Sequence, residues 1–468
     1  MSAVPSWRLS GHLIGSTVWL IVMAEASGKR LLLFGSGLMA KPILEYLTSK
    51  GHHVIIASNI LSDAQSLSAL YPHTSAVLVD VAADLDAATT QAAQADLVIS
   101  MVPPPFHKYV LQACIRARKS IVTASYVNPD MKALEAELVS AGLFCMNEIG
   151  LDPGIDHMTA MKAIADLKVK GARITHFLSS CGCVPAAAAC DNPLKYKYSW
   201  APLGATGSVM RPAKYLEEGK VVEVEGVDLL KHAKKYPTPN DPPLEFYPNG
   251  NSLEYREKYG LEETQCIKRA TLRYEGYAAI MRGIVALGLI DLTERKFPEG
   301  QTWRDLISEL AGPGDDEVAV KLQSKLSALS ASDIEATIQY LTWVEALTDL
   351  PVGQEKSLLH ATASLFQRKL VYLPGQSDLT VLEHVLTYEL QGETRVLTST
   401  LRMEGVVSEC SSVSKLVGYP VAIAADWLLS HAPPALGLIL PVFPEFYNPV
   451  LKELERFGVT MTETDTLA

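Results

Sequence analysis

The sequence is poor in the features that mark several large classes of protein. It has seven Cys, an odd number without the paired spacing of a zinc site, so free thiols in a reducing, cytoplasmic setting fit it better than a disulfide framework. Basic residues (41) are outnumbered by acidic ones (52), and the net charge of −11 disfavours nucleic acid as a partner. The 468 residues are 48% hydrophobic and 20% charged, which excludes a disordered or fibrous chain and indicates two or three globular domains.

Apolar runs long enough to cross a membrane are also missing, because such a run needs about 20 residues. Leu13–Met23 is apolar but shorter than this, and a single cation, Arg8, precedes it. A signal peptide is therefore a weak interpretation, and we favour a dispensable extension at residues 1–28, ahead of a start near Met23. No membrane association is expected.

The first recognisable pattern in the sequence is that of a dinucleotide-binding unit. The apolar run Lys29–Phe34 stops at a glycine-rich turn, an amphipathic helix follows, and a second apolar run occupies His53–Ala57. This is the strand, turn, helix and strand of a mononucleotide-binding βαβ unit. Gly35 permits the tight turn, and Gly37 lets the backbone approach a pyrophosphate, which the free N–H groups at the helix start would bind.

Three more apolar runs follow, each continuous rather than alternating, as in parallel strands that are buried on both faces. They are Ala76–Asp80, Leu97–Val102 and Ser120–Ala124. The predicted fold class is therefore α/β, with a Rossmann-like doubly wound parallel sheet in a dinucleotide-binding domain at residues 29–155. Cofactor contacts are expected from the turn and from the strand ends, at Gly35, Ser36, Gly37, Leu38, Met39, Ser58, Asn59, Asp80, Val81, Ser100, Val102 and Ser125.

The end of the second strand favours NADP (NADPH) over NAD as the cofactor. An NAD site usually has Asp or Glu there to hold the ribose hydroxyls, whereas this chain has Ser58 and Asn59. There is no acid to repel a 2′-phosphate and no arginine to clasp it. The preference therefore rests on neutral hydrogen bonds from these two side chains.

Polar and turn residues are dense in the stretch 146–157, after the fifth strand, where open α/β sheets bind ligands. Asp152 is either a turn former ahead of Pro153 or a residue that faces substrate. Asp156 is predicted to be the N-cap of an amphipathic helix at Met158–Leu167.

Beyond Arg173 the pattern changes to alternating strands and then to helices. It predicts a mixed-sheet α+β domain for substrate at residues 156–285 and 359–414, and a small helical domain at 286–358. The segment 415–468, with a helix from Val421, is expected to return to the first domain. The predicted strands are Ile174–Leu178, Val221–Val224, Ala270–Tyr274 and Val396–Met403, and the predicted helices are Thr302–Leu310, Asp316–Leu329 and Ser332–Leu347.

One string carries a family resemblance. Asn147-Glu148-Ile149-Gly150-Leu151-Asp152-Pro153-Gly154-Ile155-Asp156-His157 closely resembles the signature of saccharopine reductases, the NADP-dependent, L-glutamate-forming saccharopine dehydrogenases of lysine biosynthesis by the α-aminoadipate pathway. Further matches run in order to near the C-terminus, so the resemblance covers nearly the whole chain. They are Ser125-Tyr126-Val127, Asp191-Asn192-Pro193-Leu194, Tyr247-Pro248-Asn249, Thr271-Leu272-Arg273-Tyr274 and Lys415-Leu416-Val417-Gly418.

The resemblance implies a homodimeric oxidoreductase acting on CH–NH bonds, in which NADPH reduces the imine of an aldehyde and glutamate. The substrate would be small and amino-acid-derived. Asp152 would hold the protonated nitrogen, while Tyr126 or Cys181 would donate a hydrogen bond as the other catalytic groups. Arg273 resembles a family arginine that meets a substrate carboxylate. The implied substrate-binding residues are Ser125, Tyr126, Asp152, Thr271, Leu272 and Arg273.

Some of these residues also have plainer interpretations. Cys181 can be a small buried apolar residue, and Arg273 can be half of a structural ion pair. Cys181, Cys183 and Cys190 form no convincing metal site without His partners, so no metal is expected.

Two departures from the family pattern bear on the substrate. Gly250 stands where the family has an arginine that grips a saccharopine carboxylate, and Leu203 stands where it has Arg or Lys. Saccharopine carries three carboxylates, and each lost charge-assisted bond costs ~1.5–3 kcal/mol, so we expect a related, less anionic secondary amine as natural substrate. The rival interpretation keeps saccharopine, with Lys195, Lys197 or Arg256 as the replacement cation. A divergent imine reductase of specialised metabolism and a non-catalytic NADP-binding regulator are the alternative functions.

Overall fold

The computed structural model describes residues 28–314 and 316–468. The extension expected at residues 1–28 therefore lies, except for Gly28, outside the described residues. None of the described helices has both the length and the apolar character that crossing a bilayer requires. Two β-sheets with their covering helices organise this part of the chain.

The first sheet is parallel throughout and has helices on both faces. Its strands are β1 (Arg30–Phe34), β2 (His53–Ser58), β3 (Thr74–Leu78), β4 (Leu97–Ser100), β5 (Ile121–Thr123), β6 (Phe144–Met146) and β15 (Gly437–Ile439), and they lie in the order β15-β6-β5-β4-β1-β2-β3. Leu31 and Leu33 of β1 pack into one core, whereas Leu32 and Phe34 pack into another. A continuous apolar run is what a strand buried on both faces requires.

The helices of this region connect and cover the parallel strands. Ile43 and Leu44 of the first helix join the core that also holds Leu416 and Phe446 from the C-terminal helices. Val110 and Leu138 belong to the core on the opposite face. The helices are α1 (Ala40–Ser49), α2 (Leu61–Ser68), α3 (Leu85–Ala93), α4 (His107–Ala117), α5 (Pro129–Lys132), α6 (Glu135–Ser140), α15 (Ser412–Ser430) and α16 (Pro444–Leu454).

The second sheet is mixed. Its strands are β7 (Arg173–Pro185), β8 (Ala213–Glu217), β9 (Lys220–Val224), β10 (Lys234–Lys235), β11 (Leu244–Pro248), β12 (Cys266–Tyr274), β13 (Ser377–Leu390), β14 (Glu393–Val406) and β16 (Thr462–Leu467). The order is β10-β11-β12-β7-β13-β14-β16, with β8 beside β12 and β9 beside β8. β12 and β7 are parallel and the other pairs are antiparallel. Cys181, Leu382 and Leu401 pack against the core of the first sheet, so one face of the second sheet meets the first domain.

The remaining helices include a group with its own core. They are α7 (Ile155–Val169), α8 (Pro202–Gly207), α9 (Glu254–Lys258), α10 (Tyr277–Ala286), α11 (Trp303–Ala311), α12 (Val318–Lys325), α13 (Ala331–Trp343) and α14 (Leu358–Gln367). Ile284, Leu306 and Leu341 belong to one hydrophobic cluster that joins α10, α11 and α13. A capping box between Thr302 and Asp305 begins α11 and accounts for its predicted start.

The C-terminal segment differs from its prediction in two places. α15 begins at Ser412 rather than near Val421, with Pro420 inside the helix. Where α15 meets α1, a Cβ on Gly418 would lie 2.3 Å from Pro42 Cγ, so this close approach needs glycine. β16 pairs with β14 of the second sheet instead of returning to the first. All six of its residues are exposed, so no apolar pattern marks it as a strand.

Candidate active site

The glycine turn after β1 lies at the point where the strand order of the first sheet reverses, between β1 and β4. Gly35 has φ +115°, and a Cβ there would lie 2.9 Å from the carbonyl oxygen of Met101. Glycine is needed at this position for both reasons. A Cβ on Gly37 would meet nothing within 4 Å. The space in front of this turn and of the N-terminus of α1 is therefore open, and it fits a dinucleotide pyrophosphate.

The predicted ribose-binding residues lie beside this turn. The hydroxyls of Ser36 and Ser58 are 2.8 Å apart, and Ser58 Oγ also accepts the N–H of Ile60 at 3.1 Å. Asn59 is exposed at the strand end. Asp80 accepts two backbone N–H groups of the turn that follows it, at 3.0 and 3.1 Å, so its carboxylate shapes that turn. Hydroxyl and amide groups at this edge fit a phosphorylated ribose.

A histidine that sequence analysis missed joins two of the predicted cofactor residues. His107 Nδ1 is 2.8 Å from Ser100 Oγ, and its Nε2 is 2.6 Å from Ser125 Oγ. Burial lowers the pKa of His107 to about 4, so the imidazole is neutral near pH 7 and donates from one nitrogen only. It therefore fixes the orientation of the Ser125 hydroxyl at the mouth of the crevice.

A buried ion-pair cluster forms where the first domain meets the second sheet. Arg269 of β12 donates to the carboxylates of Asp152 and Asp156, the latter at 2.7 Å, and to the Tyr126 hydroxyl at 3.0 Å. The Tyr126 hydroxyl in turn donates to Asp152 at 2.8 Å. The guanidinium also lies over the ring of Tyr255, with 4.6 Å between its carbon and the ring centre. Two of the predicted catalytic residues, Tyr126 and Asp152, are thus in direct contact.

The cluster holds more negative than positive charge. Glu148 bonds His157 Nε2 at 2.8 Å, and although burial alone would raise its pKa, the pKa of Glu148 is lowered by His157 and by the charge of Arg269. Within the hydrogen-bonded cluster three carboxylates face one arginine and one histidine, while Lys258 acts on Glu148 only through its charge. Asp152 has 15% of its side chain exposed, against 2% for Asp156 and 4% for Glu148. The excess negative charge is thus open to the cleft at Asp152, where a cationic group would be stabilised.

Arg273, four residues along β12 from Arg269, is held differently. It is 5% exposed and lies over the rings of Tyr196 and Tyr277, at 4.9 and 5.4 Å. Among the described residues it forms no ion pair, and its Nε and the hydroxyls of Tyr196 and Tyr247 have no hydrogen-bond partner. The structural ion pair considered from sequence is therefore not seen there. A buried, unpaired guanidinium suits a ligand carboxylate.

The other predicted substrate residues divide between the two faces of the second sheet. Thr271 of β12 is opposite Cys181 of β7, and Cys181 packs towards the first domain. A hydrogen bond with Cys183, together with burial, keeps the pKa of Cys181 well above its usual range, so it is a thiol that can donate. Leu272 packs on the opposite face, so only its backbone can face the cleft. In the described part of the chain, no cluster of His, Cys, Asp and Glu is suited to a metal ion.

The cations proposed as replacements near Gly250 are engaged elsewhere. Lys195 Nζ donates to the carbonyl of Glu275 at 3.2 Å, and Arg256 donates to the carbonyl of Glu262. Lys197 is buried and pairs with Asp191 at 2.8 Å. Gly250 itself has φ +58°, and Leu203 of α8 is 39% exposed.

The structure corrects the interpretation of Asp156 and adds Arg269. The N-cap of α7 is Gly154, and the Asp156 carboxylate accepts the Gly154 N–H at 2.6 Å and pairs with Arg269. The N-cap prediction was wrong because α7 already begins at Ile155, so Asp156 lies inside its first turn. Nothing near Asp156 in sequence reveals that its carboxylate pairs with an arginine of β12. One signal was available: Arg269 directly precedes the predicted strand Ala270–Tyr274, and its even spacing from Arg273 places both on one face of the longer observed strand.

The doubly wound domain, the glycine turn at its switch point and the charged cleft beside it define a nicotinamide-dinucleotide-dependent oxidoreductase. Family comparison agrees with this class. Residues 31–146 match the saccharopine dehydrogenase NADP binding domain, and residues 150–459 match the saccharopine dehydrogenase C-terminal domain. The chain belongs to the saccharopine dehydrogenase family.

Individual relatives cover nearly the whole chain. The saccharopine dehydrogenase [NADP(+), L-glutamate-forming] of Saccharomyces cerevisiae is 33% identical over 443 residues, which are 93% of this chain and 99% of the relative. The mitochondrial alpha-aminoadipic semialdehyde synthase of Bos taurus is 35% identical over 457 residues, 95% of this chain but 49% of that protein. The apo structure of the S. cerevisiae L-Glu-forming enzyme superposes with a TM-score of 0.84 at 32% identity, covering 94% of this chain and 100% of that one.

Proposed function

We propose that this chain is an NADP-dependent, L-glutamate-forming saccharopine dehydrogenase. In the oxidative direction the secondary amine of saccharopine loses a hydride and a proton to become an imine, and water then splits the imine into glutamate and an aldehyde. In the reductive direction the same imine forms from the two products. The observation that carries the proposal is the arrangement of charges in the cleft. Asp152 exposes excess negative charge to the cleft. Arg273, which forms no ion pair with the described residues, lies on the same face of β12 as Arg269, the partner of Asp152.

The chemistry that NADP supplies when bound is the acceptance or donation of a hydride at the substrate carbon. The chain's own residues orient the substrate and hold its charges. Asp152 accepts a hydrogen bond from the protonated nitrogen and stabilises its charge. Burial raises the pKa of Tyr126 well above 10, so its phenol stays protonated and keeps its hydrogen bond to Asp152. Arg273 binds a carboxylate, and together these contacts align the reacting carbon.

The test is an assay of the purified chain with saccharopine and NADP, followed by the absorbance of reduced nicotinamide and by release of glutamate. Both signals should appear together, and NADP should support a higher kcat/KM than NAD. If NADPH is instead oxidised only with other amine and carbonyl pairs, the chain is a divergent imine reductase. Binding of NADPH without turnover of any pair would identify a non-catalytic regulator.

We further infer a homodimer in the cytoplasm. All seven cysteines are free thiols, which is expected in a reducing compartment. The family resemblance supports dimerisation through the domain that contains the second sheet. Light scattering of the purified chain tests the first point, and fractionation of cells tests the second.

A further inference from the structure

A further cation, Arg211, lies close to the ring of Tyr126. Arg211 lies between α8 and β8, and its guanidinium carbon is 6.0 Å from the centre of the Tyr126 ring. The hydroxyl of that ring donates to Asp152. Arg211 is exposed, and its side chain forms no ion pair or hydrogen bond with the described residues. An arginine that the protein leaves unpaired beside the proposed reacting groups is available to an anionic group of the substrate.

The backbone that carries Arg211 is closely held. A Cβ on Gly226 would lie 1.9 Å from the carbonyl oxygen of Met210, so the chain is packed tightly just before Arg211. Just after it, Lys214 donates its N–H to the Gly250 carbonyl at 2.9 Å and accepts the Ser252 N–H at 2.7 Å. Arg211 is therefore presented from a fixed position next to the segment that contains Gly250.

The missing side chain of Gly250 leaves space beside the Arg211 side chain. A Cβ built on Gly250 would lie 3.9 Å from Arg211 Cδ, an ordinary contact distance. The neighbouring Lys214 pairs with Glu223, and Arg256 bonds a backbone carbonyl. Of these three described cations beside Gly250, Arg211 is the one whose charged group stays free.

The two guanidiniums that form no ion pair with the described residues lie towards opposite ends of the site, although Arg273 also donates to the carbonyl of Leu272 at 2.7 Å. Arg211 stands by Tyr126 at the Arg269 end of β12, whereas Arg273 is four residues further along, roughly 13 Å at the rise of a β-strand. A substrate with carboxylates at both ends and a cationic nitrogen between them would match this order of charges.

We propose that Arg211 binds a carboxylate of the substrate at the end of the cleft opposite Arg273. Arg211 thereby makes a tricarboxylate such as saccharopine a better substrate than less anionic secondary amines. This inference rests on the proposed function, and it replaces the expectation that the cleft has lost attraction for one end of saccharopine.

The test begins with Arg211→Ala and calorimetry of saccharopine binding in the presence of NADPH, which cannot accept a hydride from saccharopine. We expect Kd for saccharopine to rise about tenfold and the Kd of NADPH to stay unchanged. Lys214→Ala is the matched control and should leave both unchanged. The saccharopine affinity of the parent should also fall more steeply with added salt than that of Arg211→Ala.

Charge rescue separates a direct contact from a structural effect. Gly250→Arg in the Arg211→Ala background brings a cation back from the adjoining segment and should recover most of the lost affinity. Gly250→Ala in the same background introduces the same backbone strain at φ +58° without charge, and should recover none. Among the three monoamides of saccharopine, one should bind parent and Arg211→Ala equally.

The outcomes distinguish the inference from the function on which it rests. If the parent binds and oxidises saccharopine while Arg211→Ala does so within twofold, the role of Arg211 is refuted and the proposed function stands. If the parent neither binds nor oxidises saccharopine, both are overturned. Equal recovery by Gly250→Arg and Gly250→Ala would also refute the contact.

Discussion

Strand β12 carries two buried arginines, Arg269 and Arg273, and only the first forms ion pairs within the described residues. Arg269 is paired with Asp152 and Asp156, so the chain itself neutralises the guanidinium. Arg273, equally buried, lies over tyrosine rings and forms no ion pair with the described residues. Its neighbour on β11, Glu245, instead accepts the Ala278 N–H. Burying a charge without a partner is costly, so an unpaired one persists where a ligand supplies the partner. The contrast separates an arginine that is neutralised within the protein from one whose charge we propose is paired by substrate.

The largest expected effect is on stability at the Arg269 end. Arg269→Met leaves Asp152 and Asp156 buried without their cation and should lower the free energy of unfolding by about 3–5 kcal/mol. Chemical denaturation monitored by fluorescence measures it. Arg173→Met, which removes an exposed ion pair with Glu389, is the control and should change little. A comparably small effect of Arg269→Met would remove the basis of the comparison.

Charge removal at Asp152 should act on turnover rather than on folding. Asp152→Asn keeps the shape but loses the charge that stabilises the protonated nitrogen, so kcat should fall about a hundredfold or more while NADPH binding is retained. Asp156→Asn is the matched variant, because Asp156 contacts the same arginine but is almost fully buried. It should mainly destabilise the fold. Unchanged turnover in Asp152→Asn would return that residue to a turn-forming role.

Replacing Arg273 should lower the affinity for substrate rather than the stability of the fold. Arg273→Met removes a buried cation that forms no ion pair with the described residues, so stability should be unchanged or higher. Affinity for saccharopine should fall about 10- to 100-fold, because one charge-assisted contact is lost. Parallel calorimetry and denaturation measure the two quantities. A large loss of stability without loss of affinity would place Arg273 in the same class as Arg269.

The smallest effect concerns pH, again at the Arg269 end. His384 of β13 is buried, and burial together with the charges of His157 and Arg269 lowers its pKa from 6.5 to about 3. The unfolded chain therefore takes up a proton as the pH falls below 6.5, whereas the folded chain does not until about pH 3. The folded state thus loses stability through this window.

His384→Phe removes this dependence and keeps a ring against Phe177. The fall in unfolding free energy between pH 7 and pH 5 should be smaller by about 2 kcal/mol in this variant. Denaturation at the two pH values measures it, with the exposed His176→Asn as control. An equal fall in parent and variant would show that His384 is not held neutral.

The first domain was largely predictable from sequence. Its central strands are buried on both faces and are written as continuous apolar runs, and the glycine turn at Gly35 has a local conformational cause. The edge strand β3 has no buried residue and runs from Thr74 to Leu78 rather than from Ala76 to Asp80. Short exposed elements such as β16 escaped prediction, because their strand state depends on a neighbouring strand rather than on their own residues. The family resemblance predicted Tyr126, Asp152 and Arg273 as site residues, and their role stays a prediction.

The sequence by itself determined the parallel sheet, the glycine turn and the family, since these depend on local periodicity and on contiguous motifs. Only the tertiary structure decided which charges are paired. Arg269 meets Asp152 and Asp156 across 117 and 113 residues of chain, and Arg211 approaches Tyr126 from another part of the second domain. Such contacts follow from the docking of the two sheets, which brings together residues that no local pattern connects.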